Sequence, residues 1–396
     1  MVSLLQSLVG LSEKAADLAR IIRSEKALFE LLVEEKVGEQ KNKRFVRDFK
    51  TLGDVLIQEM IRHEIASKFP NLGEYIFGEE SNKFTNTLGD SITVAIQETE
   101  AQTCELLTKV LDGNIDAASL LAKAVHQDGT SILTDPGLDG LKAELDVDSL
   151  GIWIDPIDGT AQYIKGLSDE LPKDGIHEEG LQCAIILIGA FDRNSGEPVM
   201  GIINQPFYES HDNQWHGRHI WGISYGNLQA NSVTPTTHNS PAAVGLSVIM
   251  SHSESDDIKA TLHQLTCGKI RYASGAGYKI LCAIECCVDA YVLSVGSTFK
   301  WDTCGPHAIL KSMSGGIVDL TVALQVYRDY QAKQRQHSRE PAGLDLGPAE
   351  LRYDQPDANR SNDPGQKWAN AGGLVAYRNK EALYQFLQAL SIHPSL

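Results

Sequence analysis

The chain has 396 residues, of which 42% are hydrophobic and 22% charged, so it can bury a large core. Asp and Glu (52) outnumber Lys and Arg (35), and the net charge of −17 argues against general binding to nucleic acids or membrane surfaces. No apolar run reaches the length of a membrane span. The seven cysteines lack zinc-site spacing, and residues 1–10 show no secretory signal, so we expect reduced thiols and a cytoplasmic location.

The first half of the chain predicts helices followed by strands. Helical periodicity covers residues 4–36, a second helix is expected over about 54–68, and an acidic insertion over 90–127 is expected to be mostly helical. Apolar segments typical of strands in an antiparallel or mixed sheet follow at 182–191, 200–205 and 220–224. The polar stretch 227–243 then predicts a boundary between two sub-domains, residues 1–230 and 245–396.

The second half alternates between strand and helix patterns. Strands are predicted at 246–250, 290–294, 316–320 and 374–377, and helices at 255–265, 277–287, 302–313 and 380–390. Residues 328–366 are polar and contain several prolines and glycines, which predicts an excursion over the surface. The alternation favours an α/β fold.

Residues 151–160, Gly-Ile-Trp-Ile-Asp-Pro-Ile-Asp-Gly-Thr, are the most informative stretch. An apolar run typical of a buried strand ends in Asp155 and Asp158, and the Asp-Pro and Asp-Gly pairs predict a tight turn. Open α/β sheets bind ligands at the carboxyl ends of strands, and paired carboxylates suit Mg²⁺. Gly159 and Thr160 could open a helix whose N–H groups bind phosphate. The alternative is an ordinary surface turn after a core strand.

Two further segments place carboxylates in similar positions. Residues 76–80, Ile-Phe-Gly-Glu-Glu, end an apolar run in Glu79 and Glu80. Residues 300–310 begin Lys-Trp-Asp, and Asp302 is expected to be the N-cap of an apolar helix. Each has a simpler interpretation, since the glutamates could lie in a solvated loop and Asp302 could serve only as a cap.

In this order, the three motifs resemble those of the inositol monophosphatase-like superfamily of Mg²⁺-dependent, lithium-sensitive phosphatases. Residues 50–54, Lys-Thr-Leu-Gly-Asp, and residues 275–279, Gly-Ala-Gly-Tyr-Lys, are similar to two more of its elements. The resemblance covers nearly the whole chain. It implies a layered α/β/α/β/α sandwich of the fructose-1,6-bisphosphatase and inositol monophosphatase type.

The resemblance also implies a set of site residues. Glu79, Asp155 and the Ile157 carbonyl would hold one Mg²⁺; Asp155, Asp158 and Asp302 would hold a second; Glu80 and Asp54 would lie near a third, weaker site. Asp54, Glu79 and Thr160 would activate or orient the attacking water. Substrate would contact a further group of residues: Asp158, Gly159, Thr160, Ser253, Gly275, Ala276 and Lys279. Related enzymes for inositol polyphosphates carry a lysine where this chain has Ser255.

The run Gln-Tyr-Ile-Lys-Gly at 162–166 resembles the inositol polyphosphate branch of the superfamily. The resemblance therefore predicts removal of the 1-phosphate from inositol 1,4-bisphosphate and inositol 1,3,4-trisphosphate, with Mg²⁺ required and Li⁺ inhibitory. The expected partner is this small molecule alone, with no nucleic acid or membrane, and the protein is expected to be a monomer. Two alternatives are a 3′(2′),5′-bisphosphate nucleotidase and an inactive, metal-binding regulatory homologue.

Overall fold

The structure is a computed structural model that describes residues 4–25, 29–42, 48–127, 135–138, 141, 145–168, 171–234, 245–336, 343–356 and 364–393. Within these ranges the α-helices are α1 (Leu4–Ser24), α2 (Leu52–Lys68), α3 (Glu100–Thr108), α4 (Ile115–His126), α5 (Thr160–Lys165), α6 (Asp256–Leu265), α7 (Ala276–Ile284), α8 (Lys300–Ser312), α9 (Leu320–Gln336) and α10 (Lys380–Leu390). The strands are β1 (Val33–Glu35), β2 (Phe49–Thr51), β3 (Ile76–Gly78), β4 (Lys83–Thr85), β5 (Ser91–Thr93), β6 (Leu150–Asp158), β7 (Ile185–Asp192), β8 (Pro198–His211), β9 (Gln214–Tyr225), β10 (Leu228–Asn231), β11 (Val248–Met250), β12 (Ile270–Tyr272), β13 (Ala290–Leu293), β14 (Gly316–Asp319) and β15 (Leu374–Tyr377).

The larger sheet has six strands in the order β10-β9-β8-β7-β6-β3. Strand β3 runs parallel to β6, and each other neighbouring pair is antiparallel. The mixed sheet predicted for this region is therefore confirmed. All nine residues of β6 are buried, because helices cover both of its faces, and this explains its continuous apolar sequence.

The smaller sheet has five strands in the order β12-β11-β13-β15-β14. Strands β12, β11 and β13 are parallel, and β15 runs antiparallel to both β13 and β14. The carboxyl ends of β11, β13 and β14 consequently lie at one edge of the sheet. Functional side chains of open α/β sheets collect at such an edge.

Three apolar clusters hold five layers of secondary structure together. The first packs α1 and α2 against the larger sheet, the second packs α7 and α8 between the two sheets, and the third packs α6, α9 and α10 against the smaller sheet. This α/β/α/β/α arrangement confirms the predicted fold class. The larger sheet takes its strands from residues 76–231 and the smaller from 248–377, while the division into sub-domains 1–230 and 245–396 stays a prediction.

Glycines allow helix α8 to approach the larger sheet closely. Gly189, Gly201 and Gly222 are paired in register across β7, β8 and β9. A Cβ atom placed on Gly201 would lie 1.8 Å from the carbonyl oxygen of Gly305 in α8, and one on Gly189 would lie 2.3 Å from the Gly305 nitrogen. We call Gly189, Gly201 and Gly222 the glycine row. Helix α8, which carries Asp302, packs directly against this row.

Several predicted boundaries are wrong. Helix α1 ends at Ser24 rather than near residue 36, and the chain then forms β1, which pairs with β2. The insertion over 90–127 contains the helices α3 and α4, as predicted, but begins with the strand β5. Residues 320–336 form helix α9, so the excursion predicted over 328–366 begins as a helix. Its Leu320, Ala323 and Leu324 are buried in the third cluster, whereas its polar face resembles loop sequence.

The predicted polar boundary also contains a strand, because Leu228–Asn231 pairs with β9; residues 235–243 of that boundary lie outside the described ranges. The other predicted strands and helices of the second half are present within a few residues of their expected ends. None of the helices in the described ranges combines the length and the apolar character that a membrane crossing needs.

Candidate active site

The site is built around the turn that ends β6. Side chains three residues apart in a regular strand point to opposite faces, but the pairing of β6 with β7 is irregular between Asp155 and Asp158, and the two carboxylates come together at the end of the strand. Gly159 follows with φ +82°, and a Cβ atom there would lie 2.9 Å from the carbonyl oxygen of Cys183. Glycine is required on both grounds. Thr160 is then the first residue of helix α5.

Asp302 joins these two aspartates from the other side of the site. Carboxylate oxygens of Asp155, Asp158 and Asp302 all lie within 4.8 Å of one another, and all three residues are buried. The Oδ1 atom of Asp155 is buried without a hydrogen-bond donor. A buried acceptor of this kind is costly unless a cation or donor completes it, so the arrangement fits a bound metal ion.

Asp302 does not occupy the N-cap that the sequence predicted. Helix α8 begins at Lys300, so Phe299 is at the N-cap and Asp302 is in the first turn. Its Oδ2 accepts a hydrogen bond from the backbone N–H of Phe299, which fixes the side chain. The remaining oxygen can still face Asp155 and Asp158, so capping and metal binding are compatible.

Asp158 is also held by the start of helix α7. Its Oδ2 accepts a hydrogen bond from the Gly277 N–H at 2.8 Å, and its Oδ1 accepts one from the Ala276 N–H at 3.3 Å. A Cβ atom on Gly275, where φ is +79°, would lie 3.0 Å from Asp158 Oδ2. The candidate substrate-binding residues Gly275 and Ala276 are therefore in direct contact with a candidate metal ligand.

Asp54 and Thr160 form a hydrogen-bonded pair. Asp54 lies in the first turn of α2, where its Oδ2 accepts hydrogen bonds from the Thr51 N–H at 2.7 Å and the Thr51 hydroxyl at 2.6 Å. The Thr160 Oγ1 lies 3.3 Å from Asp54 Oδ1 and 3.0 Å from the Ile157 carbonyl oxygen. A hydroxyl carries one proton, so Thr160 donates to one of these two acceptors at a time.

Glu79 and Glu80 share a buried lysine that the sequence analysis missed. The Lys36 Nζ lies 2.6 Å from Glu79 Oε1 and 2.5 Å from Glu80 Oε1. Gln58 of α2 fixes the backbone of Glu80, accepting its N–H at 2.9 Å and donating to its carbonyl oxygen at 2.6 Å. Lys36 follows two glutamates in Val-Glu-Glu-Lys, which looks like an ordinary solvated charge cluster, and no sequence signal distinguishes it.

Burial raises the pKa values of the carboxylates in this group, so they do not all ionise together. Desolvation, reinforced by neighbouring negative charges, raises the pKa of Asp54 to about 6 and the pKa of Glu80 to about 8. Desolvation likewise raises the pKa of Asp158 to about 6, and with like charges it raises the pKa values of Asp155 and Asp302 well above the ordinary range. Divalent cations would offset both effects.

The candidate substrate-binding residues differ in accessibility. Ser253 is exposed on the turn after β11, and Ser255 caps α6 by accepting the Ile258 N–H. Lys279 is buried, which lowers the pKa of its amine, and its Nζ donates to the carbonyl oxygens of Ala273 (3.1 Å) and Gly275 (2.6 Å). Lys279 thus supports the turn that leads into α7.

Comparison with known proteins finds relatives that are similar to this chain. The mouse and human inositol polyphosphate 1-phosphatases are 45% and 46% identical to the chain, in each case over 98% of the chain and 97% of the relative. A 3′(2′),5′-bisphosphate nucleotidase from Dictyostelium discoideum is 32% identical over 44% of the chain and 54% of the relative.

The fold is also found in solved structures. The extragenic suppressor protein suhB from Bartonella henselae has a TM-score of 0.50 at 12% identity, with 97% of this chain and 96% of that chain covered. An IMPase/NADP phosphatase complexed with NADP and Ca²⁺ has a TM-score of 0.50 at 11% identity, with 100% and 98% covered. The model of the inositol monophosphatase family matches residues 56–341, and together with the full-length relatives it shows that the chain belongs to that family.

Proposed function

We propose that this protein is a Mg²⁺-dependent, lithium-inhibited phosphatase that removes the 1-phosphate from inositol 1,4-bisphosphate and inositol 1,3,4-trisphosphate. The observation that carries the proposal is the convergence of Asp155, Asp158 and Asp302, whose buried carboxylate oxygens lie within 4.8 Å of one another. The substrate class follows from the similarity to inositol polyphosphate 1-phosphatases over 98% of the chain.

Two or three Mg²⁺ ions are the proposed cofactors. Glu79, Asp155 and the Ile157 carbonyl would hold one ion, Asp155, Asp158 and Asp302 a second, and Asp54 and Glu80 would lie near a third. The unpartnered Asp155 oxygen and the raised carboxylate pKa values support this assignment. When bound, such ions lower the pKa of a coordinated water and neutralise charge on the phosphoryl oxygens.

The chain's own residues supply a path for the proton of the attacking water. Both Thr51 donors engage Asp54 Oδ2, which leaves Oδ1 to accept the Thr160 hydroxyl proton. The Thr160 oxygen can then accept a proton from water while its own proton moves to Asp54. Burial raises the pKa of Asp54 to about 6, which suits a base near neutral pH. Glu79 would help to orient the same water.

The substrate phosphates are proposed to lie between α5 and α7. The Gly159 and Thr160 N–H groups would hold the scissile phosphate, while Ser253, Gly275, Ala276 and Lys279 would contact the rest of the substrate. An ammonium group has three N–H donors, so a phosphate contact is compatible with both hydrogen bonds that Lys279 makes. Its positive charge also offsets the negative charge of Asp158.

The test compares phosphate release from inositol 1,4-bisphosphate and adenosine 3′,5′-bisphosphate, each with Mg²⁺ and with or without Li⁺. Asp155→Asn serves as the inactive control. We expect faster, lithium-blocked release from the inositol compound. The nucleotide tests the second candidate, a 3′(2′),5′-bisphosphate nucleotidase, which the partial similarity to such enzymes favours. Preference for the nucleotide would contradict the proposed substrate but not the metal site.

The protein is further proposed to act as a cytoplasmic monomer on this small molecule, without a nucleic-acid or membrane partner. Its seven free cysteines suit a reducing compartment, and its net charge of −17 disfavours anionic macromolecules. Size-exclusion chromatography with light scattering tests the monomer, since a mass near twice 43.3 kDa would contradict it.

A further inference from the structure

We propose that Gln162 is a positioning residue for this reaction, holding the phosphate-binding end of α5 in register with the substrate-binding turn before α7. The inference rests on the proposed function, because it assigns a role in binding that function's substrate. Gln162 lies two residues after Thr160 and is 6% exposed. Its contacts reach two segments distant in sequence, which we name the turn (residues 273–277) and the wall (residues 171–180).

Both ends of the Gln162 amide are engaged. Its Nε2 donates to the Ser274 hydroxyl oxygen at 3.1 Å, and its Oε1 accepts the Gly180 N–H at 2.9 Å. A backbone N–H can only donate, so the amide oxygen must face Gly180 and the amide nitrogen must face Ser274. This one side chain therefore links α5, the turn and the wall in a single orientation.

The turn and the residue that follows it in α7 are also bound to the wall. The Ser274 N–H donates to the Glu178 carbonyl oxygen at 2.9 Å, and the His177 N–H donates to the Tyr278 hydroxyl oxygen at 3.0 Å. The turn then continues into Ala276 and Gly277, whose N–H groups hold Asp158. A shift of the turn relative to α5 would therefore move the substrate-contacting backbone.

The backbone is closely packed where α5 and the turn meet, so a shift of the turn would disturb its neighbours. Cβ atoms placed on Gly159 and Gly275 would lie 2.9 Å and 3.0 Å from the same Cys183 carbonyl oxygen. Gly180, which Gln162 holds, is buried and begins the segment that leads to Cys183. Gln162 thus acts on the spacing of α5 and the turn, while it makes no hydrogen bond to the clustered aspartates.

Loss of this link should weaken substrate binding more than it slows the chemical step. Gln162→Ala leaves the buried Gly180 N–H without its acceptor and frees the turn from α5. We expect KM for inositol 1,4-bisphosphate to rise about tenfold, the effect of one buried hydrogen bond, with a smaller change in kcat. The carboxylate of Gln162→Glu can accept hydrogen bonds from both the Gly180 N–H and the Ser274 hydroxyl, so this variant should keep the geometry while adding a negative charge.

The experiment measures kcat and KM for wild type, Gln162→Ala, Ser274→Ala, the double variant and the control Asn204→Ala. Asn204 is also a buried amide, and its Nδ2 donates to Ser12 Oγ (3.3 Å) and Glu13 Oε1 (2.9 Å), away from the site. The two site variants should raise KM non-additively, because they break the same hydrogen bond. The control should lower stability and leave KM unchanged.

Hydrogen exchange at the Ala276 and Gly277 amides gives a second readout that does not depend on activity. Exchange should be faster in Gln162→Ala than in wild type and unchanged in Asn204→Ala. Additive effects on KM, or an unchanged KM in Gln162→Ala, would overturn the inference. If the wild type released no phosphate, the proposed function would be refuted. In that case the exchange measurement alone would test the positioning role, and unchanged amide exchange in Gln162→Ala would refute it.

Discussion

Replacing Gly201 by alanine should separate α8 from the larger sheet and misplace Asp302. The new Cβ would lie 1.8 Å from the Gly305 carbonyl oxygen, so helix and strand must part by about 1.6 Å to reach an ordinary contact of 3.4 Å. The backbone of residue 201 fixes the position of the Cβ, and the oxygen that it meets is a backbone atom, so no rotamer change relieves the contact. Overpacking of this kind costs about 3 kcal/mol, and a misplacement of about 1 Å at the site lowers activity about 100-fold.

Urea unfolding measures the first effect, and Mg²⁺-dependent phosphate release from inositol 1,4-bisphosphate measures the second. Gly73→Ala is the matched control, since its Cβ would meet only Ala66 Cβ at an ordinary 3.5 Å. We expect the control to stay within about 0.5 kcal/mol of wild type. If Gly201→Ala behaved like Gly73→Ala in both assays, the close packing of α8 against the glycine row would not determine the position of Asp302.

Three further predictions concern the site and a histidine away from it. Asp54→Asn should abolish phosphate release while leaving the urea midpoint nearly unchanged; undiminished release would exclude Asp54 as the proton acceptor. When metal is removed with a chelator, the buried carboxylates bind more protons in the folded than in the unfolded state, because their folded-state pKa values are raised. The Tm should therefore fall as the pH rises from 5 to 8, and Mg²⁺ should raise it again. A Tm that does not change with pH would contradict this. Burial disfavours charge on His219, but Glu13 and Asp135 outweigh it and raise its pKa. His219→Gln should therefore be most destabilising, by urea unfolding, near pH 6 and approach wild type as pH rises through that pKa; a constant difference would exclude the ion pairs.

The sequence predicts those parts of the candidate site in which the carboxylates lie next to a strong local pattern. Asp155 and Asp158 directly follow an apolar strand, and their spacing is visible in a ten-residue window. Asp302 was located by its Lys-Trp-Asp context, although its exact place in the helix was wrong by one turn. The layered fold came from resemblance to a family, because hydrophobic periodicity alone does not specify the order of eleven strands in two sheets.

Features that depend on contacts between distant segments were not predictable. Lys36 looks like any surface lysine until folding buries it between Glu79 and Glu80. The members of the glycine row lie on three strands, and only the strand register aligns them beneath α8. The sequence predicts loop for part of helix α9, because its polar face looks like loop sequence and only three of its described residues are buried.

The division of the aspartates between two sheets has a consequence for the order of folding. Asp155 and Asp158 end a strand of the larger sheet, whereas Asp302 arrives on a helix that follows a strand of the smaller one. The contact between Asp302 and the other two aspartates joins segments that are far apart in sequence, and contacts of that kind form slowly during folding. Mutual repulsion of the carboxylates opposes this contact, so Mg²⁺ should accelerate its formation by neutralising them. The three-aspartate cluster is complete only once this contact has formed, so a chain in which it is open should release no phosphate.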